Sequence, residues 1–247
     1  HSKVKNKGTF QGVIEKIPYL KDLGINQIQC MPVYEFEEAG MRINYWGYGP
    51  GYYFAPKSAY AKDGDGVKGL KDLVKCCHKA GIEVVLEMPF SEGVSGLMVT
   101  DCLRNYVMEY HVDGFILNPY NVPMDIILKD PILSGVRILR HAEEFQNVMR
   151  RFLKGDEGVV TDVMYQTRKR WDLEGTTHTG FTLKDLVSYD GKHNEANGEN
   201  NQDGPDYNYS WNCGAEGLTR KKAVLELRKN QMRNAMFLLL LSQGVPC

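Results

Sequence analysis

The apolar residues of this chain fall either about 3.6 residues apart or in short unbroken runs, and the two patterns take turns. Val13, Ile14, Ile17, Leu20 and Leu23 keep helical spacing up to Gly24, and residues 25–32 (INQIQCMP) then read as a short strand. Pro18 is expected to kink that helix or to sit in its first turn, because it has no N–H to donate. Val67, Leu70, Val74 and Cys77 repeat the helical spacing as far as Gly81. Residues 82–88 (IEVVLEM) then form the near-continuous apolar run of a strand buried on both faces. Leu103, Val107 and Tyr110 mark a further helix, 114–118 (GFILN) a strand, and 136–139 (VRIL) another. Helices are predicted over 144–153 and 159–164, and a long one over 220–242 closed by Gly244 and Pro246.

Strands and helices that alternate without a linker predict an α/β fold whose parallel strands are joined by crossover helices, as in a (β/α)8 barrel, rather than an antiparallel domain. Residues 1–247 fit one such unit, so a single barrel domain is expected.

Composition narrows the partners. Thirty basic against thirty-one acidic residues leave a formal net charge of -1, which provides no electrostatic footprint for nucleic acid or an anionic membrane, so a neutral ligand is expected. The longest apolar run, 235–241, is too short to cross a bilayer, and the first residues lack the basic, apolar and small-residue succession of a signal peptide. Six cysteines (Cys30, Cys76, Cys77, Cys102, Cys213, Cys247) show no CxxC or metal-type spacing, which predicts reduced thiols in the cytoplasm and no metal. No phosphate-cradling glycine motif follows a strand, Gly64-Asp65-Gly66 being a turn, so no cofactor is expected.

Four segments carry a resemblance: 8–24 (GTFQGVIEKIPYLKDLG), 44–56 (NYWGYGPGYYFAP), 176–214 (TTHTGFTLKDLVSYDGKHNEANGENNQDGPDYNYSWNCG) and 238–246 (LLLLSQGVP). Together they resemble the isoamylase-type glycogen debranching enzymes of glycoside hydrolase family 13, the alpha-amylase superfamily, along the whole chain. The resemblance implies a TIM barrel whose first and last strands lie outside this chain. Two unpaired apolar edges would then remain, so the chain is expected to be a fragment of a longer protein.

Enzymes of that family cleave α-glucans with retention, which needs two carboxylates facing one sugar ring. The resemblance implies an Asp nucleophile ending the fourth barrel strand, a Glu acid/base ending the fifth and an Asp stabiliser after the seventh. The family's GFRFD stands here as Gly114-Phe115-Ile116-Leu117-Asn118, so an amide holds the nucleophile position and Ile116 that of the positioning arginine. The His-Asp pair before GFTL stands as His178-Thr179. The segment with the fifth-strand acid has no counterpart between 136–139 and the next helix, where Glu143 and Glu144 are the nearest stand-ins, although acids opening a helix ordinarily serve its dipole. The family's Asp-Val-Val-Tyr-Asn-His is replaced by Glu87-Met88-Pro89-Phe90-Ser91-Glu92, which makes Glu92, with Glu87, the other stand-in pair.

Sugar-binding groups are more fully represented. Tyr45, Trp46 and Tyr48 match the segment whose rings line the family's glucan cleft, and flat apolar sugar faces stack on such rings. His178 has a donor and acceptor edge for hydroxyls, and Asn194 lies in a polar loop (190–212) whose amides suit either sugar hydroxyls or self-capping turns. A calcium loop through Glu199, Asp203 and Asp206 lacks the required spacing. The expectation is therefore a domain associated with glycogen or starch that binds α-glucan or maltooligosaccharide as a pseudoenzyme. The alternative is an active α-1,6 hydrolase with displaced carboxylates.

Overall fold

The computed structural model describes residues 3–39, 44–140, 143–169, 172–173, 180–198 and 200–246, with the side chains of 172, 173 and 245 excepted. His178 and Thr179 lie outside the described residues. The chain divides into two compact units, His1–Arg140 and His141–Cys247.

The first unit opens with two short helices, α1 (Phe10–Ile14) and α2 (Ile17–Asp22). Pro18 falls in the first turn of α2, where its missing N–H leaves no bond unmade. Strand β1 (Gln27–Cys30) is followed by β2 (Tyr34–Phe36) and β3 (Gly51–Pro56), then α3 (Gly66–Lys79), β4 (Glu83–Glu87), α4 (Gly96–Tyr110), β5 (Gly114–Ile116), α5 (Met124–Ile127) and β6 (Arg137–Leu139). The sheet runs β1-β4-β5-β6, every pair parallel. The four strands and intervening helices read from the apolar pattern are all present. What the pattern missed is the pair β2–β3, which is antiparallel and sits between β1 and α3.

Alternation along the strands sorts the two faces of the sheet. Val84, Leu86, Met88, Phe115 and Leu117 join Leu70, Leu73, Leu103 and Tyr106 of α3 and α4 in one core, each 2% exposed or less. Each such burial of an aliphatic or aromatic side chain contributes about 1.5–3 kcal/mol. The opposite face carries the row Glu87, Ile116 and Leu139 at the carboxyl ends, and at the amino ends a polar set in which Glu83 takes hydrogen bonds from Gln27 (3.0 Å) and Arg137 (2.9 Å). Gly114 allows β5 and β6 to approach, since a Cβ there would lie 2.4 Å from the Arg137 carbonyl oxygen.

In the second unit, α6 (Glu143–Lys154) turns Phe145, Val148 and Met149 onto Leu239 of the long helix α9 (Lys222–Leu241). Between them lie α7 (Val160–Gln166), a two-residue strand β7 (Asp172–Leu173) and α8 (Leu183–Leu186). β8 (Val245–Pro246) follows α9 and pairs in parallel with β7. Among the described residues no helix is long and apolar enough to cross a membrane.

Candidate functional site

The site is built at the carboxyl ends of β4 and β5 in the first unit, the end where parallel sheets place their working groups. After β4 the chain runs through Met88 and Phe90, both buried, to Ser91. The Tyr53 hydroxyl donates to Ser91 Oγ (3.0 Å) and accepts from the Ser91 N–H (3.0 Å), while Asn121 Nδ2 donates to the Phe90 carbonyl (3.1 Å). The loops after β4 and β5 are thereby tied together. Glu92 stands exposed in the following turn.

β5 delivers Ile116, 6% exposed, and Leu117, 2% exposed, ahead of the exposed Asn118. Asn118 Oδ1 accepts the Tyr120 N–H at 3.1 Å and its carbonyl accepts the Asn121 N–H at 3.1 Å, so the amide at the strand end closes a turn.

The aromatic segment is organised by its neighbours. Asn44 Oδ1 accepts the Gly47 N–H and Asn44 Nδ2 donates to the Tyr48 carbonyl, each at 3.0 Å, while the Tyr34 hydroxyl donates to the Gly47 carbonyl at 2.9 Å. Gly47 has φ +78°, and a Cβ there would lie 2.6 Å from the Phe36 ring, so only glycine satisfies both backbone and space. The turn presents Tyr45 and Trp46 outward, 72% and 49% exposed. It aims Tyr48 inward, where its hydroxyl donates to Glu87 Oε1 at 2.8 Å. Glu87 is itself only 7% exposed. Tyr45, Trp46 and Tyr48 thus share one turn, and that turn is anchored at the carboxyl end of β4.

The other candidates are placed in the second unit. Glu143 and Glu144 open α6, both exposed. Lys169 lies 2.9 Å from Glu144 and, with Gln166, holds its carboxyl below the ordinary carboxylate range, the opposite of the raised value a general acid requires. Asn194 Nδ2 donates to Asp203 Oδ2 (3.2 Å), and Asn197 Nδ2 donates to the same oxygen (2.9 Å), so these amides cap their own loop. Arg228 of α9, 6% exposed, supports that loop's end by donating to the carbonyls of Gly217 (2.7 Å), Asn212 (3.0 Å) and Ala215. Among the described residues no group of three or more His, Cys, Asp or Glu side chains has metal-holding geometry.

Sequence reasoning did not foresee the Tyr48–Glu87 bond, the Asn44 clasp or the Asn121 tie. The clasp had a signal in Asn44 itself, since asparagine side chains commonly bond nearby backbone groups to close a turn.

The parallel strands of the first unit, with candidate groups at their carboxyl ends, have the architecture of part of an α/β barrel, and residues 1–91 match the family model of the alpha amylase catalytic domain. Within that class the chain is a relative of the isoamylase-type glycogen debranching enzymes of glycoside hydrolase family 13. It is 33% identical to isoamylase 3, chloroplastic, of Oryza sativa subsp. japonica, over 98% of this chain and 45% of that protein. To isoamylase 1, chloroplastic, of Arabidopsis thaliana it is 32% identical, over 99% of this chain and 48% of that protein. Among solved structures, a pullulanase of Anoxybacillus sp. LM18-11 complexed with maltotriose superimposes with a TM-score of 0.67 at 19% identity, covering 99% of this chain and 47% of that one. The chain spans about half the length of the curated relatives it matches. The rice alignment runs over 350 positions against a chain of 247, so that relative has internal segments with no counterpart here.

Proposed function

We propose that this chain is an α-glucan-binding part of a debranching-type protein of glycogen or starch metabolism, and that its inherited hydrolytic chemistry is impaired. The observation that carries the reading is Asn118. It follows β5 where the resemblance implies the nucleophilic carboxylate, and its side-chain oxygen is engaged in a turn. An amide cannot form the glycosyl ester of a retaining mechanism, and loss of such a group commonly costs about 10^4 to 10^6 in turnover.

The proton donor has no better support, since Glu144 is paired with Lys169 and Glu143 stands exposed at a helix start. The exposed Tyr45 and Trp46 rings favour retained binding, and the pullulanase with the same fold was solved with maltotriose. His178 is proposed as a further hydroxyl contact. The free thiols of Cys30, Cys76, Cys77, Cys102 and Cys213 support a cytoplasmic location.

The alternative, a hydrolase with displaced carboxylates, draws on Glu87 and Glu92 at the end of β4. Calorimetric titration of the full-length protein with maltooligosaccharides, paired with reducing-sugar release from pullulan, tests both readings. Binding with background hydrolysis supports the first. Hydrolysis that scales with protein and vanishes in Glu92→Gln replaces it with the second.

A further inference from the structure

The hydroxyl of Tyr48 and the carboxylate of Glu87 are 39 residues apart in sequence and 2.8 Å apart in space. Glu87 ends β4, whose backbone is paired on both sides, by β1 and by β5, so its position is set by the sheet rather than by a loop. A carboxylate 7% exposed is costly to bury unless its oxygens accept hydrogen bonds, and a phenol is a good donor to a charged acceptor. At the other end of this bond lies a turn of five residues, 44–48, clasped from within by Asn44 and from below by the Tyr34 hydroxyl. Those two contacts fix the path of the backbone. The Tyr48–Glu87 bond fixes where the turn sits relative to the end of the sheet. Tyr45 and Trp46 face outward from it, and a turn whose backbone is already fixed loses less freedom when a sugar stacks on its rings.

We propose that Glu87 is the positioning residue of this aromatic platform: through the Tyr48 phenol it locks the 44–48 turn so that Tyr45 and Trp46 are pre-organised for a maltooligosaccharide chain. The platform's ligand rests on the glucan-binding reading above; the locking of the turn does not. Glu87 acts on the sugar through Tyr48 and takes no chemical step. The acceptor oxygen, rather than the negative charge, is what the geometry uses, so an amide of the same shape retains the role.

The test uses the full-length protein with Glu87→Ala, Glu87→Gln, Tyr48→Phe and the Ala/Phe double variant. Two readouts apply: maltohexaose affinity by calorimetry and hydrogen exchange of the amides of 45–48. Tyr48→Phe removes one hydroxyl and keeps the ring, which guards against an alanine variant that fails to fold. Glu87→Ala and Tyr48→Phe are each expected to speed exchange at 45–48 and to weaken maltohexaose about tenfold, the worth of one ordinary hydrogen bond. The double variant should be no worse than either single one, and Glu87→Gln should restore both readouts. Unchanged exchange at 45–48 in Glu87→Ala and Tyr48→Phe overturns the proposal whatever the affinity. An affinity loss that Glu87→Gln does not rescue overturns it too, because the charge would then be acting directly. A parent protein that binds no maltohexaose while Glu87→Ala loosens the turn sinks the glucan reading and leaves the locking role standing.

Discussion

The side-chain oxygen of Asn118 accepts the backbone N–H of Tyr120 at 3.1 Å, closing the turn that leaves β5. An aspartate makes the same bond, so Asn118→Asp is expected to change stability by less than about 0.5 kcal/mol, as exposed substitutions usually do. It is not expected to bring debranching activity. Ile116 cannot orient the new carboxylate, and of the stand-in acids Glu144 is paired with Lys169, while general acid help is itself worth about 10^2 to 10^4. A pullulan assay on the variant, and on Asn118→Asp with Thr179→Asp, checks this. Robust turnover in either would reveal a proton donor, with Glu143 the first suspect.

Gly114 is a structural requirement of the sheet. A Cβ at this position would lie 2.4 Å from the Arg137 carbonyl oxygen and 2.8 Å from the Arg137 Cβ, and neither belongs to the flexible end of a side chain. Gly114→Ala must therefore push β6 from β5, at a cost of about 1–3 kcal/mol, the range of overpacked interiors. A lowered urea midpoint with an unchanged slope is the expected result. An unchanged midpoint would show that the β5–β6 pairing tolerates separation.

Legibility followed the range of the interaction. β4 could be read as a strand because EVVLE is apolar where both faces are covered, and α3 because Leu70, Val74 and Cys77 repeat on one stripe. β2 could not: Tyr34, Glu35 and Phe36 are too few to show a period, and their partners lie beyond a polar stretch at Gly51–Pro56. The position of Asn118 was legible from the GFILN motif, whereas its turn depends on where the Tyr120 amide falls. The amides of 190–212 fitted two roles equally in sequence. Asn194 and Asn197 converging on Asp203 is a matter of three-dimensional placement that composition does not encode.

Arg228 reaches from α9 to the carbonyls of Gly217, Asn212 and Ala215, a fan of acceptors that a planar guanidinium can serve at once. Replacing it with methionine keeps much of the volume and strands those acceptors, each buried one costing about 1–3 kcal/mol. Arg228→Met is expected to lower the thermal midpoint and to speed amide exchange over 212–217. Arg228→Lys should recover only part of the loss, since one ammonium cannot span three carbonyls. Full recovery by lysine would mean that charge alone, and not the fork, holds the loop.

Glu216 gives the same loop a defined acid sensitivity. Its carboxylate accepts the Asp190 N–H (3.0 Å) and Asn212 Nδ2 (3.0 Å) and faces His193 Nε2 (3.0 Å). These contacts, the Asp190 amide first, lower its pKa from 4.5 to about 2. A carboxyl depressed in the folded state binds its proton less readily than in the unfolded chain. Its contribution is therefore complete above pH 4.5 and is lost as pH falls toward about 2. Glu216→Gln should be less stable than the parent at pH 7, with the gap narrowing through that window and nearly closing at its lower end. Urea midpoints of the two proteins at several pH values across the window provide the measurement. A gap that stays constant from neutral pH to the acid end would mean that the glutamine is disruptive through its shape, and that the charge on Glu216 contributes nothing to the hold on Asp190 and Asn212.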